Sequence, residues 1–177
     1  MKKNILIIGY GDIGKRLTDV LDSDLYNFLL VSRNNKYNSD DFIEWDWLSK
    51  NEFVHNFEKI DVVIFFPKPS RNDESGYEDG FKNSTENLNK IISKLPIDTF
   101  ISISSTRVYD KESKSSCKEI DSIDPIEFRG KFIKEYEEKQ IDLYKDKLII
   151  LRFSGLYDSQ SAKMSNNHLH RDNAAKI

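Results

Sequence analysis

The stretch MKKNILIIGYGDIGKRL, residues 1–17, decides how the rest of the chain is read. Its apolar run Ile5 to Ile8 stops at three glycines, Gly9, Gly11 and Gly14, and a helical pattern begins at once. A second apolar run, NFLLVS at residues 27–32, completes a βαβ unit of the length expected for a Gly-x-Gly-x-x-Gly phosphate turn. In that setting Gly9 permits the tight turn, Gly11 lets a pyrophosphate approach the backbone, and Gly14 allows helix to pack closely on strand. Asp12 and Ile13 then lie in the first helical turn, where backbone amides and the helix dipole favour an anion. The competing reading is a glycine turn in an α/β protein that holds no nucleotide.

Outward from this unit, apolar runs keep alternating with longer amphipathic stretches. After NFLLVS come FIEW, DVVIFF, TFISIS and KLIILRF, and the spacing predicts helices over Asp12 to Leu21, Leu48 to Phe57, Tyr77 to Leu95 and Pro125 to Tyr144. Strands this continuously apolar, each followed by a helix, imply a Rossmann-like, doubly wound parallel sheet with helices on both faces. Neither a repeat nor a Pro/Gly linker divides the chain, so residues 1–177 are read as one domain. Asp110 to Asp124, rich in Lys, Ser, Glu and Asp, reads as a mobile loop. The tail HLHRDNAAKI reads as a short helix starting near Asp172, marginal unless docked.

Composition narrows the partners. With 27 Lys and Arg against 30 Asp and Glu the net charge is -3, which provides no field to gather nucleic acid or an anionic membrane. A single cysteine, Cys117, excludes an internal disulfide and fits a cytoplasmic setting. The run after Lys2 and Lys3 is too short for a signal peptide or a membrane span. His168-x-His170 has no third or fourth ligand nearby in sequence, so no metal site is expected.

The end of the second strand bears on which dinucleotide would fit. An acid there would bind a ribose 2'-hydroxyl, but the residues are Ser32 and Arg33, which can bond a 2'-phosphate, with no carboxylate to repel it. This favours NADP over NAD, the alternative being that Arg33 is a solvated loop cation. Lys68 and Arg71, after the fourth strand, lie at the carboxyl edge where α/β sheets bind ligands, and solvation explains them equally well. Trp45 and Trp47 alternate as on a strand edge, which fits core packing better than shielding an adenine. His55 falls on the expected Leu48 to Phe57 helix as a surface or boundary residue.

GYGDIG, FISISSTRVYD from Phe100, PIEFRGKFIKEYEEK from Pro125 and LRFSGLYD from Leu151 together resemble the NAD(P)-dependent epimerase/dehydratase group of short-chain dehydrogenase/reductase-like proteins, especially its atypical branch. The resemblance implies a nicotinamide dinucleotide and a small, sugar-nucleotide-like substrate. It adds Pro67 and Ser104 to the cofactor-binding candidates and places Ser105 at the nicotinamide. Active members also carry a Tyr-x-x-x-Lys pair there, the tyrosine as general acid or base. Here none of the eight tyrosines has a lysine four positions on. Laying EFRGKFIKE on the family helix keeps Lys131 but puts Glu127 in the tyrosine's place, and an ionised carboxylate has no proton to donate at neutral pH. An exposed i,i+4 pair is the plainer reading of Glu127 and Lys131. A dinucleotide-binding sensor or enzyme remnant, without turnover, is therefore the alternative function.

HRDNAA resembles a family segment that follows a longer substrate-binding insertion, which makes residues 158–177 a remnant of the substrate region and the chain truncated at its C-terminus. The strand KLIILRF would then lack cover on one side. Self-association or a partner polypeptide at that end is expected, unless Met164 to Ile177 folds back to close the gap.

Overall fold

Each apolar run becomes a strand: β1 (Lys3–Ile8), β2 (Tyr26–Ser32), β3 (Phe42–Glu44), β4 (Ile60–Phe65), β5 (Ile97–Ser105) and β6 (Leu148–Phe153). In this computed structural model residues 1–49, 51–56, 58–109, 117–161 and 168–177 are described. The six strands are parallel, in the order β3-β2-β1-β4-β5-β6. The order reverses beside β1, whose neighbours are β2 and β4, so the topological switch lies where the glycine turn leaves the sheet.

Because side chains alternate along a strand, the two faces of β1 build two cores. Leu6 and Ile8, with Val31, Val63, Phe65 and Phe100, meet α2 (Glu74–Tyr77), a π-helical segment over Glu78–Asn83, α3 (Ser84–Ile92) and α4 (Phe128–Tyr144). Ile5 and Ile7, with Leu30 and Ile64, meet Leu17 of α1 (Asp12–Val20). This is the doubly wound architecture expected from the alternating pattern.

One expectation needs correction, and another lies partly out of reach. No helix forms among the described residues of Leu48 to Phe57, so His55 stands on irregular chain. Local side chains take the backbone groups a helix would use: Asp46 accepts from Leu48 N at 3.0 Å and Ser49 Oγ accepts from Asn51 N at 3.1 Å. Phe53 is instead pinned edge-on to buried Trp45, with ring centroids 5.2 Å apart. The expected loop Asp110 to Asp124 lies partly outside the described residues; Cys117, within it, is exposed.

The tail departs from expectation in detail. A two-residue strand pair, β7 (Leu156–Tyr157) with β8 (Leu169–His170), leads into α5 (Arg171–Ala174), one residue ahead of the expected start. His170 caps it, its Nδ1 accepting from Asp172 N at 3.2 Å. Residues 168–177 fold back onto α1 and bury Ala174 and Ala175, while Ile149 of β6 stays 47% exposed. Nothing observed points to a partner polypeptide at that edge. Among the described residues no helix is long and apolar enough to cross a membrane.

Candidate functional site

A cleft of about 630 Å³ opens at the carboxyl ends of β1 and β4, the position the sheet topology assigns to a ligand. Its floor is the glycine turn. Gly9 has φ +80°, and a Cβ there would lie 2.5 Å from Phe66 O, so both the conformation and the space require glycine. Gly9 N and Tyr10 N both donate to Val31 O, at 2.9 and 3.1 Å, which fixes the turn against β2. A Cβ at Gly11 would meet nothing nearer than Gly9 O, at 3.7 Å, so the approach to this backbone is open. No side chain caps α1, leaving the amides of its first turn, including Ile13 and Gly14, for an anion. These features fit the pyrophosphate of a dinucleotide.

The walls come from four other places. Ser32 ends β2, and Arg33, Asn34 and Lys36 follow it; Phe66, Pro67 and Lys68 follow β4; Trp47 follows β3; Ile103, Phe153, Leu156 and Arg171 close the far side. Gly9, Gly11, Asp12, Ile13, Gly14, Ser32, Arg33 and Pro67, all chosen from sequence, are thus brought together. Ser32 Oγ donates to Asn34 O at 3.1 Å, which turns its proton inward, and Arg33 and Lys36 are the cations of this wall. Among the described residues no carboxylate pairs with Arg33 or Lys36. Of the two tryptophans, Trp45 is core, its Nε1 donating to Asn51 O at 2.7 Å, whereas Trp47 lines the cleft. Arg71 is held by Asp73 and Ser75 and does not reach the cleft.

The candidates beyond the cofactor turn fare differently. Ser104 does not face the cleft: alternation along β5 sends Ile103 there and buries Ser104 on the other side, where its hydroxyl donates to Glu137 Oε1 at 2.5 Å. Ser105 ends β5 half-buried, its Oγ accepting from Arg107 N at 3.2 Å, outside the cleft lining. Glu127 and Lys131 are both exposed at the start of α4 and neither lines the cleft. The inward stripe of α4 is Gly130, Ile133, Tyr136, Glu137, Gln140 and Tyr144, so positions 127 and 131 fall outside it. Gly130 sets how close the helix comes, since a Cβ there would meet Arg107 O at 2.7 Å. His168 and His170 join no cluster of three or more metal-ligating groups among the described residues.

A buried polar network went unread in the sequence. Glu137, 2% exposed, takes Arg152 in a two-pronged contact, Nε to Oε1 at 2.9 Å and Nη2 to Oε2 at 2.7 Å. Arg152 Nη1 also donates to Tyr109 Oη at 2.6 Å and its guanidinium lies 5.1 Å from that ring. The hydrogen bond to Glu137 holds the Arg152 guanidinium charged well above its ordinary range. Beside it Tyr136 Oη and Ser102 Oγ lie 2.5 Å apart, and burial pushes the Tyr136 phenol far up. The signal was present: Arg152 interrupts an apolar strand, and Glu137 follows Ile133 by four on the inward stripe of α4.

The sheet order, the glycine turn at its switch point and the cleft above it define a Rossmann-like doubly wound α/β protein. The family model of the NAD dependent epimerase/dehydratase family matches residues 5–140. The chain belongs to that family. Among solved structures, UDP-N-acetylglucosamine 4-epimerase from Methanobrevibacter ruminantium M1 is similar over 99% of this chain and 72% of its own, with TM-score 0.76 and 16% identity. A putative NAD-dependent epimerase/dehydratase from Methylobacillus flagellatus is similar over 99% and 68%, with TM-score 0.74 and 20% identity. A UDP-glucuronic acid 4-epimerase from Bacillus cereus in complex with NAD is similar over 87% and 57%, with TM-score 0.69 and 20% identity. At these identities the likeness is one of fold. No curated protein matches the sequence.

Proposed function

We propose that the chain binds a nicotinamide dinucleotide in the switch-point cleft, and NADP in preference to NAD. The observation that carries the reading is the open, uncapped glycine turn at the floor of that cleft. When bound, such a group supplies hydride transfer. The chain's part is to hold the phosphates on the first turn of α1 and to meet the ribose end with Arg33. A 2'-phosphate would find a guanidinium there and no opposing carboxylate pairing with it, which supports NADP. The Bacillus cereus structure with NAD supports the unphosphorylated form instead. Titration decides between them: Arg33→Ala is expected to weaken NADP about tenfold and leave NAD within about twofold. Equal affinity of the unaltered chain for the two would remove the preference.

Oxidoreductase or epimerase/dehydratase-like turnover of a small, sugar-nucleotide-like substrate is the activity that family membership supports, with Ser105, the hydroxyl that the family resemblance places at the nicotinamide, as its candidate residue. A second reading, binding without turnover, draws on a specific observation: Glu127 and Lys131 are exposed and off the cleft, so neither substitutes there for a Tyr and Lys pair. Cofactor-dependent turnover that disappears in Ser105→Ala supports the enzyme; saturable dinucleotide binding with no turnover across a panel of UDP-sugars supports the binding module.

A further inference from the structure

Arg171 comes from the far end of the chain and stands in the wall of the cleft beside the glycine turn. Its Nη1 donates to Asp12 Oδ2 at 3.2 Å and makes an ion pair with Asp158 Oδ2 at 3.0 Å. Both contacts use one nitrogen of a group that carries five N–H donors, so its ion pairs with the described residues leave donor capacity toward the cleft. The Asp12 carboxylate sits in the first turn of α1, at the same helix end that an anionic ligand would occupy. A diphosphate arriving there would face this carboxylate, and a cation must separate the two.

Arg16 cannot be that cation. It is engaged with Asp12, Asp158 and Asp172 and does not line the cleft. Resting on the dinucleotide reading of the cleft, we infer that Arg171 is a further cofactor-binding residue, a phosphate ligand that Asp12 and Asp158 hold ready at the mouth of the glycine turn. On binding, the diphosphate oxygens take the fork geometry that a guanidinium offers, and the Asp12 contact gives way or is shared. The diphosphate is common to NAD and NADP, so Arg171 serves both, whereas Arg33 distinguishes them.

The test is titration of NAD and of NADP into the full chain and its variants. Arg171→Ala is expected to weaken both dinucleotides about tenfold and Arg171→Lys to recover much of the loss. Asp172→Asn, which removes the Arg16–Asp172 tie without touching the cleft lining, is expected to leave both within about twofold. Amide hydrogen exchange over residues 169–175 reports whether the tail remains docked. Binding in Arg171→Ala within twofold of the unaltered chain overturns the inference alone. So does a loss in Asp172→Asn as large as in Arg171→Ala, because the tail's docking would then be the cause. Failure of the unaltered chain to bind either dinucleotide overturns the reading of the cleft, and the inference with it.

Discussion

Two clusters of charge hold this fold together at its carboxyl edge, and they are built on opposite terms. Glu137 and Arg152, with side chains 2% and 18% exposed, are locked by two-pronged hydrogen bonds between α4 and β6. Asp12, Arg16, Arg171 and Asp172, with side chains 40%, 30%, 33% and 53% exposed, tie α1 to α5 beside the cleft, and Asp158, 12% exposed, is the one shielded member that both arginines share. In the first, each nitrogen of the guanidinium donates and both carboxylate oxygens accept, with little water about; the second shares each cation among several carboxylates, most of them in reach of solvent. Burial makes a pair costly to break, whereas exposure and sharing make contacts easy to exchange. The rigid cluster belongs to the scaffold, and the exchangeable one lies where a ligand's phosphates would compete for it.

Breaking the buried cluster should give the largest effect. Glu137→Ala leaves Arg152 charged and without its carboxylate, and a loss of about 3–5 kcal/mol is expected in denaturant unfolding. Replacing both residues at once, as Glu137→Leu with Arg152→Met, is expected to recover most of that loss, because no unpaired charge remains. If the double variant is as unstable as the single, the network does more than compensate its own burial, and the contrast between the clusters sharpens.

Much of this arrangement could be read from the chain, and the part that could not has physical causes. The strands and the glycine turn depend on local patterns: unbroken apolar runs, and glycines that a positive φ at Gly9 demands. The cofactor candidates Gly9, Gly11, Asp12, Ile13, Gly14, Ser32, Arg33 and Pro67 came together because they lie at or just beyond the carboxyl ends of β1, β2 and β4. The face of α4 did not come through, because Tyr136, Glu137 and Gln140 dilute the apolar stripe that would have marked it. Without that stripe, the i,i+4 spacing of Glu127 and Lys131 looked significant, although any charged helix face offers such pairs. Arg171 was silent for a different reason: its partner Asp12 lies 159 positions away.

The exposed cluster should respond weakly to loss of one tie. Asp172→Asn is expected to cost less than about 1 kcal/mol at low salt, and less still as salt screens the remaining charges, measured by thermal unfolding across an ionic-strength series. A loss as large as that of Glu137→Ala would erase the distinction between the two clusters.

The smallest effect concerns acidity. Asp158 is held below the ordinary carboxylate range first by the Ser161 hydroxyl, then by the amides of Gln160 and Ser161 and by Arg171. A depressed folded pKa means that the unfolded chain binds the proton more readily. The contribution is therefore complete above the ordinary aspartate value of about 3.9 and is lost as pH falls below it. Amide exchange at Leu169 to Ala175 is expected to stay constant from neutral pH down to that range, after correction for intrinsic rates, and to accelerate below it. Protection that already fades near neutrality would place the tail's attachment on another group.

The tie between Asp12 and Arg171 also imposes an order on biosynthesis. A ribosome delivers β1 and α1 first and completes β6 at Phe153, so all six strands leave the exit tunnel ahead of position 171. The nascent chain therefore supplies Asp12 long before the residue that pairs with it. Ile103 and Phe153, on the far side of the cleft, come with the sheet itself and Arg171 is the piece added last, so the strands and the charge above them are delivered at different moments.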